Sequence, residues 1–191
     1  MRNRLDEAKT DLIARAAAVV DRSHAAPGTA TEPFLRRYYR HVVAEDLVGR
    51  DPVDVVGAAM SHRGLAVRRP QGTALVRVFT PTVDEHGWSV GHSVVEIVTD
   101  DMPFLVDSVT MELSRDERPI HLVVHPQLVV RRDIAGDLVE VCDVSESDSS
   151  VSTNHPDAIV ESWMHIEIDR ESDPEAARGI EASLMRVLRD V

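Results

Sequence analysis

Cysteine is nearly absent: Cys142 is the only one in 191 residues. No intrachain disulfide can form, so the simplest home is a reducing cytoplasm, and a buried packing thiol is the expected role. Lysine is as scarce. Lys9 stands alone among the basic residues beside twenty arginines, and the formal net charge is -12. Affinity for nucleic acid comes mainly from basic groups neutralising phosphates, and anionic bilayers select the same groups, so neither is an expected partner. No run approaches the ~18 apolar residues of a membrane span. The opening MRNRLDEAKTD lacks the apolar core of a signal peptide. A G-x-G-x-x-G turn, a P-loop and a serine elbow are also missing, so the stretch carries no signature for NAD, ATP or acyl transfer.

What is present is an ordinary globular composition, 43% hydrophobic and 28% charged. Residues 3–21 place Leu5, Leu12, Ile13, Ala16 and Val20 at helical spacing. His24–Thr31 reads as a linker. A second helix is expected over 31–45, through Phe34, Tyr38 and Tyr39. A third begins at Asp51-Pro52, with Asp51 as N-cap and Pro52 at the first helical position. The 31–45 and 52–63 helices should pack on each other or on a sheet, and 3–21 should be attached more weakly. The pattern changes at Pro70-Gln71-Gly72. Strands are expected near 74–79, 93–99, 120–131 and 160–168, with a short return strand at 138–144 after an Ala135-Gly136-Asp137 turn. Helices should fill 103–116 and 174–189. Ser145–Asp157, rich in serine, reads as a mobile loop. The division is therefore 1–70, a helical segment, and 71–191, an α+β domain.

The order after residue 74, with the return strand set aside, is β, βαβ, βα. A ferredoxin-like sandwich runs βαββαβ with antiparallel order 4-1-3-2. The strand at 74–79 can take the fourth position by pairing with 93–99. Both helices would then cover one face, leaving the other to the N-terminal helices or a second copy.

The acidic turn at 100–103 links a strand to a helix, where backbone N–H groups point outward. It can seat the carboxylate of a small metabolite while nearby acids take its amino group. The candidate effector-binding residues are Asp100, Asp101, Met102, Phe104, Leu105, Asp107 and Ser108. The plainer reading makes Asp100 or Asp101 the cap of a helix begun by Pro103. His121 and His125, four apart on a strand, share a face, and Asp101 and Asp107 can be imagined beside them as metal ligands. Nothing in the spacing supplies a third convergent ligand, so no metal and no catalytic residue is assigned.

EIVTDDMPFLVDSV followed by HLVVHPQLVVRRD resembles the N-terminal region of the large, multidomain NAD-specific glutamate dehydrogenases of bacteria. The preceding EDLVGRDPVDVVGAAMSHRGLAVRRPQGTALVRVFTP is similar to the same region, and the resemblance spans roughly 34–170. It implies an ACT-like, ferredoxin-like module of the kind that often binds amino acids to regulate an attached enzyme. By that resemblance the parent oxidises L-glutamate to 2-oxoglutarate with NAD, while this fragment is non-catalytic and holds no cofactor. Its partners would be the remaining domains of the parent, further copies in a homo-oligomer and an amino-acid effector. Two other readings stand beside it: a purely structural domain for subunit or interdomain packing, and a stand-alone metal enzyme built on His121 and His125.

Overall fold

The computed structural model describes residues 2–21, 31–115, 118–142 and 157–190. The expected His24–Thr31 linker, apart from Thr31, which begins the second helix, and most of the serine-rich loop lie outside the described residues. Four helices come first: α1 (Arg2–Asp21), α2 (Thr31–Tyr38), α3 (Ala44–Leu47) and α4 (Pro52–Leu65). The strands are β1 (Leu75–Phe79), β2 (Ser93–Asp100), β3 (Ile120–Val124), β4 (Gln127–Arg132), β5 (Leu138–Val141) and β6 (Ala158–Ile168). A short α5 (Val83–His86) separates β1 from β2. After β2 comes α6 (Leu105–Ser114), and α7 (Pro174–Asp190) follows β6. No described helix is long and apolar enough to cross a membrane.

Asp51 caps α4 as expected, accepting the Val53 N–H at 2.8 Å. The expected helix over 31–45 stops at Tyr38, and a turn leads into the separate α3. The expected strand over 120–131 is two strands, both antiparallel to β6. Its break falls at His125-Pro126, because proline has no N–H for the ladder. The Pro126 carbonyl still accepts from Trp163 N at 3.0 Å, so the chain keeps its course along β6.

The sheet order is β1-β2-β6-β4-β5, with β3 also on β6 and every pairing antiparallel. With β3 and β4 taken as one interrupted strand, β1-β2-β6-β3/β4 is the 4-1-3-2 order of a ferredoxin-like sheet. β1 fills the fourth position, as the hairpin reading expected, with Leu75 opposite Val98 and Phe79 opposite Val94.

Strand alternation sends the two faces to different cores. Val95, Ile97, Met164, Ile166 and Ile168 pack under Leu105, Val109 and Leu113 of α6 and Ile180, Leu184 and Leu188 of α7. The opposite face offers Val98, Leu122, Val124, Leu128, Val130 and Trp163 to α1, α2 and α4. α1 is not the weakly attached helix expected: Leu12, Ile13, Ala16 and Ala17 are fully buried in that core. Small alanines let α1 approach closely, a signal that low hydrophobicity obscures.

Two glycines are required by contact. A Cβ on Gly57 of α4 would lie 2.4 Å from Cγ of Trp88, whose ring is buried beside it. Gly136, at φ +87°, forms the expected turn after β4, and a Cβ there would meet the Arg69 carbonyl oxygen at 2.6 Å.

Candidate functional site

The acidic turn joins the C-terminal end of β2 to α6. Neither Asp100 nor Asp101 caps the helix, and Pro103 does not begin it. The cap position belongs to Phe104, which sits in the left-handed region at φ 67° and supplies no side-chain acceptor. Phe104 is the one non-glycine residue with positive φ among those described, and the residue is 75% exposed. A bulky side chain rarely adopts that conformation.

The aspartates are held from elsewhere. Asp100 accepts from Arg69 Nη2 at 2.5 Å and from the Gly72 N–H at 3.2 Å. Arg69 is completely buried and also donates through Nε to Glu161 at 2.8 Å and through Nη1 to the Thr73 carbonyl at 2.8 Å. Arg132 reaches the same Glu161 in a two-pronged contact, 2.6 and 3.0 Å, and Trp163 Nε1 donates to it at 2.9 Å. Asp101 accepts from Ser162 Oγ at 2.5 Å and from Gln127 Nε2. Met102 is half-buried and Leu105 fully buried against the α6–α7 core. Asp107 is exposed and Ser108 half-buried in the first turn of α6. Chain continuity thus keeps the seven candidates together, but Asp100 and Asp101 are spent on internal cations and hydroxyls, and Asp107 is the solvent-facing carboxylate.

His121 and His125 do not converge on one ligand. The ladder with β6 shifts register between Ile120 and Leu122, at His121 itself, so the simple four-residue spacing does not hold across the pair. His125 Nε2 lies 3.0 Å from Ser162 Oγ, while His121 Nε2 lies 2.6 Å from Asp169 Oδ1. Asp101 stands with the His125 group and Asp107 with neither.

A second cluster lies beneath α4, on the face covered by the N-terminal helices. Glu96 of β2 and His165 and Glu167 of β6 are buried there among apolar neighbours. The two imidazole nitrogens of His165 stand 3.9 Å from Glu96 and 3.8 Å from Glu167, near enough for charge attraction and too far for a direct hydrogen bond. Arg77 pairs with Glu96 from β1, and Arg50 grips Glu167 at 2.6 and 3.0 Å. Burial opposes charge on both carboxylates, but His165 and the arginines outweigh it and hold each pKa down at about 2. Burial likewise opposes the imidazolium of His165, and Glu167 and Glu96 reverse the balance, raising its pKa. The cluster is a row of alternating charges, Arg77, Glu96, His165, Glu167, Arg50, inside an apolar layer.

His62 of α4 borders this row and stays neutral. Its Nε2 faces the Ile97 carbonyl at 3.0 Å, an acceptor only, so Nε2 carries the proton. Nδ1 then accepts from Tyr38 OH at 2.8 Å. Burial brings the His62 pKa down to about 4. Trp163, His165 and Glu167 alternate with Met164, Ile166 and Ile168 along β6 and so share one face. That this face is covered, and that Glu96 and the two arginines meet it, is decided by strand order. Cys142 is the buried free thiol expected, and burial pushes its pKa up.

A 4-1-3-2 antiparallel sheet with two helices on one face and a helical cover on the other defines an ACT-like α+β module. The family model described as "Glutamate dehydrogenase, ACT1 domain" matches residues 34–184, and the chain belongs to that family. It is 36% identical over 190 residues to the NAD-specific glutamate dehydrogenase of Halomonas elongata, covering 97% of this chain and 11% of that relative. It is 34% identical over 158 residues to the enzyme of the same name from Pseudomonas aeruginosa, covering 83% of this chain and 9% of the relative. The chain therefore spans only a small fraction of the length of the curated relatives it matches. No solved structure matches it.

Proposed function

We propose that this chain is the regulatory and interaction module of a large NAD-dependent glutamate dehydrogenase. The parent reaction is the oxidative deamination of L-glutamate to 2-oxoglutarate with NAD, carried out in the cytoplasm by domains outside this chain. The module itself is non-catalytic and holds no cofactor. Its partners are those remaining domains and further copies of the assembled enzyme.

The observation that carries this reading is the start of α6. Phe104 is held in a conformation that disfavours a bulky side chain, and it presents its ring to solvent. A strained, exposed aromatic of this kind is a feature worth its cost where something docks on it. We assign it to contact with the rest of the parent chain. The test supplies the parent chain lacking this module as a separate polypeptide and measures association with the 191-residue chain. Phe104→Gly relieves the backbone and removes the ring, so the module should be as stable as before and its affinity should fall by roughly tenfold or more, the effect of losing an aromatic anchor. Association unchanged by Phe104→Gly would refute the assignment.

A second reading has a support of its own. The first N–H groups of α6 receive no side-chain cap, the arrangement that accepts an anion at a helix start. An amino-acid effector could place its carboxylate there and its ammonium near Asp107, among Asp100, Asp101, Met102, Phe104, Leu105 and Ser108. Calorimetric titration of the proteinogenic amino acids separates the two. Saturable binding lost in Asp107→Asn favours the effector seat, and no heat at millimolar amino acid leaves the interaction reading.

A further inference from the structure

At the end of the sheet opposite the acidic turn, β2 and β3 begin beside the end of β6. Ser93 of β2 and Ile120 of β3 both pair with Ile168 at the end of β6. The residues beside those positions are His92, His121 and Asp169. The imidazoles of His92 and His121 stack with centroids 3.9 Å apart and planes 14° apart. His121 Nε2 lies 2.6 Å from Asp169 Oδ1. One ligand-type atom from each of the three lies within 4.8 Å of the others.

We propose that His92, His121 and Asp169 form a binding site for a divalent transition cation of the zinc, cobalt or nickel class. Two imidazole nitrogens and one carboxylate oxygen are the donor set that suits these ions, and hard Mg²⁺ or Ca²⁺ would call for more oxygens. Nitrogen lone pairs lie in the ring planes, so one of the two stacked imidazoles must turn out of the stack to bring its nitrogen onto the cation. Ligand bonds of about 2.0–2.2 Å in a tetrahedral site place donor atoms roughly 3.3 Å apart. The His121–Asp169 pair, now at 2.6 Å, therefore opens by roughly 0.7 Å and the more distant donor closes in. Asp169 has room to do so, because its side chain is 60% exposed and it follows the last residue of β6.

The net charge of -12 favours the approach of any cation. Three protein donors leave a fourth position for water or a partner's side chain. The pair His121 and His125 suggested by spacing alone lacks this convergence. His121's partner is on a loop 29 positions earlier, which no strand periodicity points to.

The test is titration of the 191-residue chain with Co²⁺ and Zn²⁺ alone, followed by calorimetry and by the visible absorption of Co²⁺. One equivalent should bind, with intensified Co²⁺ bands. His92→Ala and His121→Ala should each lower affinity at least roughly tenfold, and Asp169→Asn should lower it as well. Exposed His41→Ala serves as the control and should leave binding unchanged. Because the altered groups are at the surface, melting temperatures of the metal-free variants should match the parent chain. No stoichiometric binding by the unaltered chain would overturn the proposal, as would full affinity in His121→Ala or its loss in His41→Ala.

Discussion

Replacing Arg69 with methionine should destabilise this protein more than any ordinary surface change. The side chain is fully buried, and it joins Glu161, equally buried, to Asp100 at the sheet end. With Arg132 the group holds two cations and two carboxylates, so it is neutral as built. Arg69→Met keeps a similar apolar stem but leaves an excess negative charge. Glu161 retains Arg132 and Trp163 Nε1, whereas Asp100 keeps only the Gly72 N–H among the contacts described here. Removing one partner of a buried pair typically costs ~3–5 kcal/mol. For a chain of this size each kcal/mol lowers Tm by about 2–4 °C, so the expected fall is roughly 6–20 °C. Scanning calorimetry at pH 7 with urea denaturation at 25 °C reads both quantities. Asp100→Asn alone should cost less, since Asp100 is partly exposed and Glu161 would keep both arginines. Combined with Arg69→Met it should recover part of the loss, a coupling that a double-mutant cycle isolates. A fall in Tm below about 2 °C for Arg69→Met would refute the reasoning and mean that Arg132 alone neutralises the group.

Melting temperature should pass through a maximum near neutral pH, because two buried histidines pull in opposite directions. His62, with its pKa lowered from 6.5 to about 4, contributes stability that is present above pH 6.5 and lost as pH falls toward 4. His165, its pKa raised, contributes stability present below 6.5 and lost as pH rises through its folded value; the groups facing it are Glu96, Glu167 and His62, with Arg77 and Arg50 beyond. Glu96 and Glu167 add a steeper loss as pH falls from 4.5 toward 2. Thermal melts at intervals from pH 3 to pH 9 read the curve. His62→Gln should flatten the limb between 6.5 and 4, and an unchanged limb would count against the neutral tautomer assigned to it. Gly57→Ala should destabilise by about 1–3 kcal/mol through overpacking against Trp88. Pairing it with Trp88→Leu should give back part of that cost in denaturant melts, and simple additivity would show that the contact is not the cause.

The elements themselves were legible because their signals are short-range. Asp51-Pro52 begins a helix through bonds that close within a few residues, and the alternation of Trp163, His165 and Glu167 with Met164, Ile166 and Ile168 assigns two faces to β6 from local geometry alone. Even the place of β1 followed from a hairpin, the least costly long pairing for a chain to close. Partnership was a different matter. An aspartate beside a helix start is a good cap by local energetics, yet Asp100 and Asp101 gain more from a buried arginine and from a serine hydroxyl that the folded sheet carries to them. Phe104 takes the cap position in their place, which no propensity would suggest. His92, His121 and Asp169 come together because β6 lies between β2 and β3, and Arg69 meets Glu161 across 92 positions because its loop is held against the β4–β5 turn at Gly136. Sequence settles what a segment can be, since backbone preference and side-chain periodicity act over a few residues. Which charges and ligands meet is settled by strand order, because only the closed sheet brings distant side chains within the few ångströms where electrostatics decides.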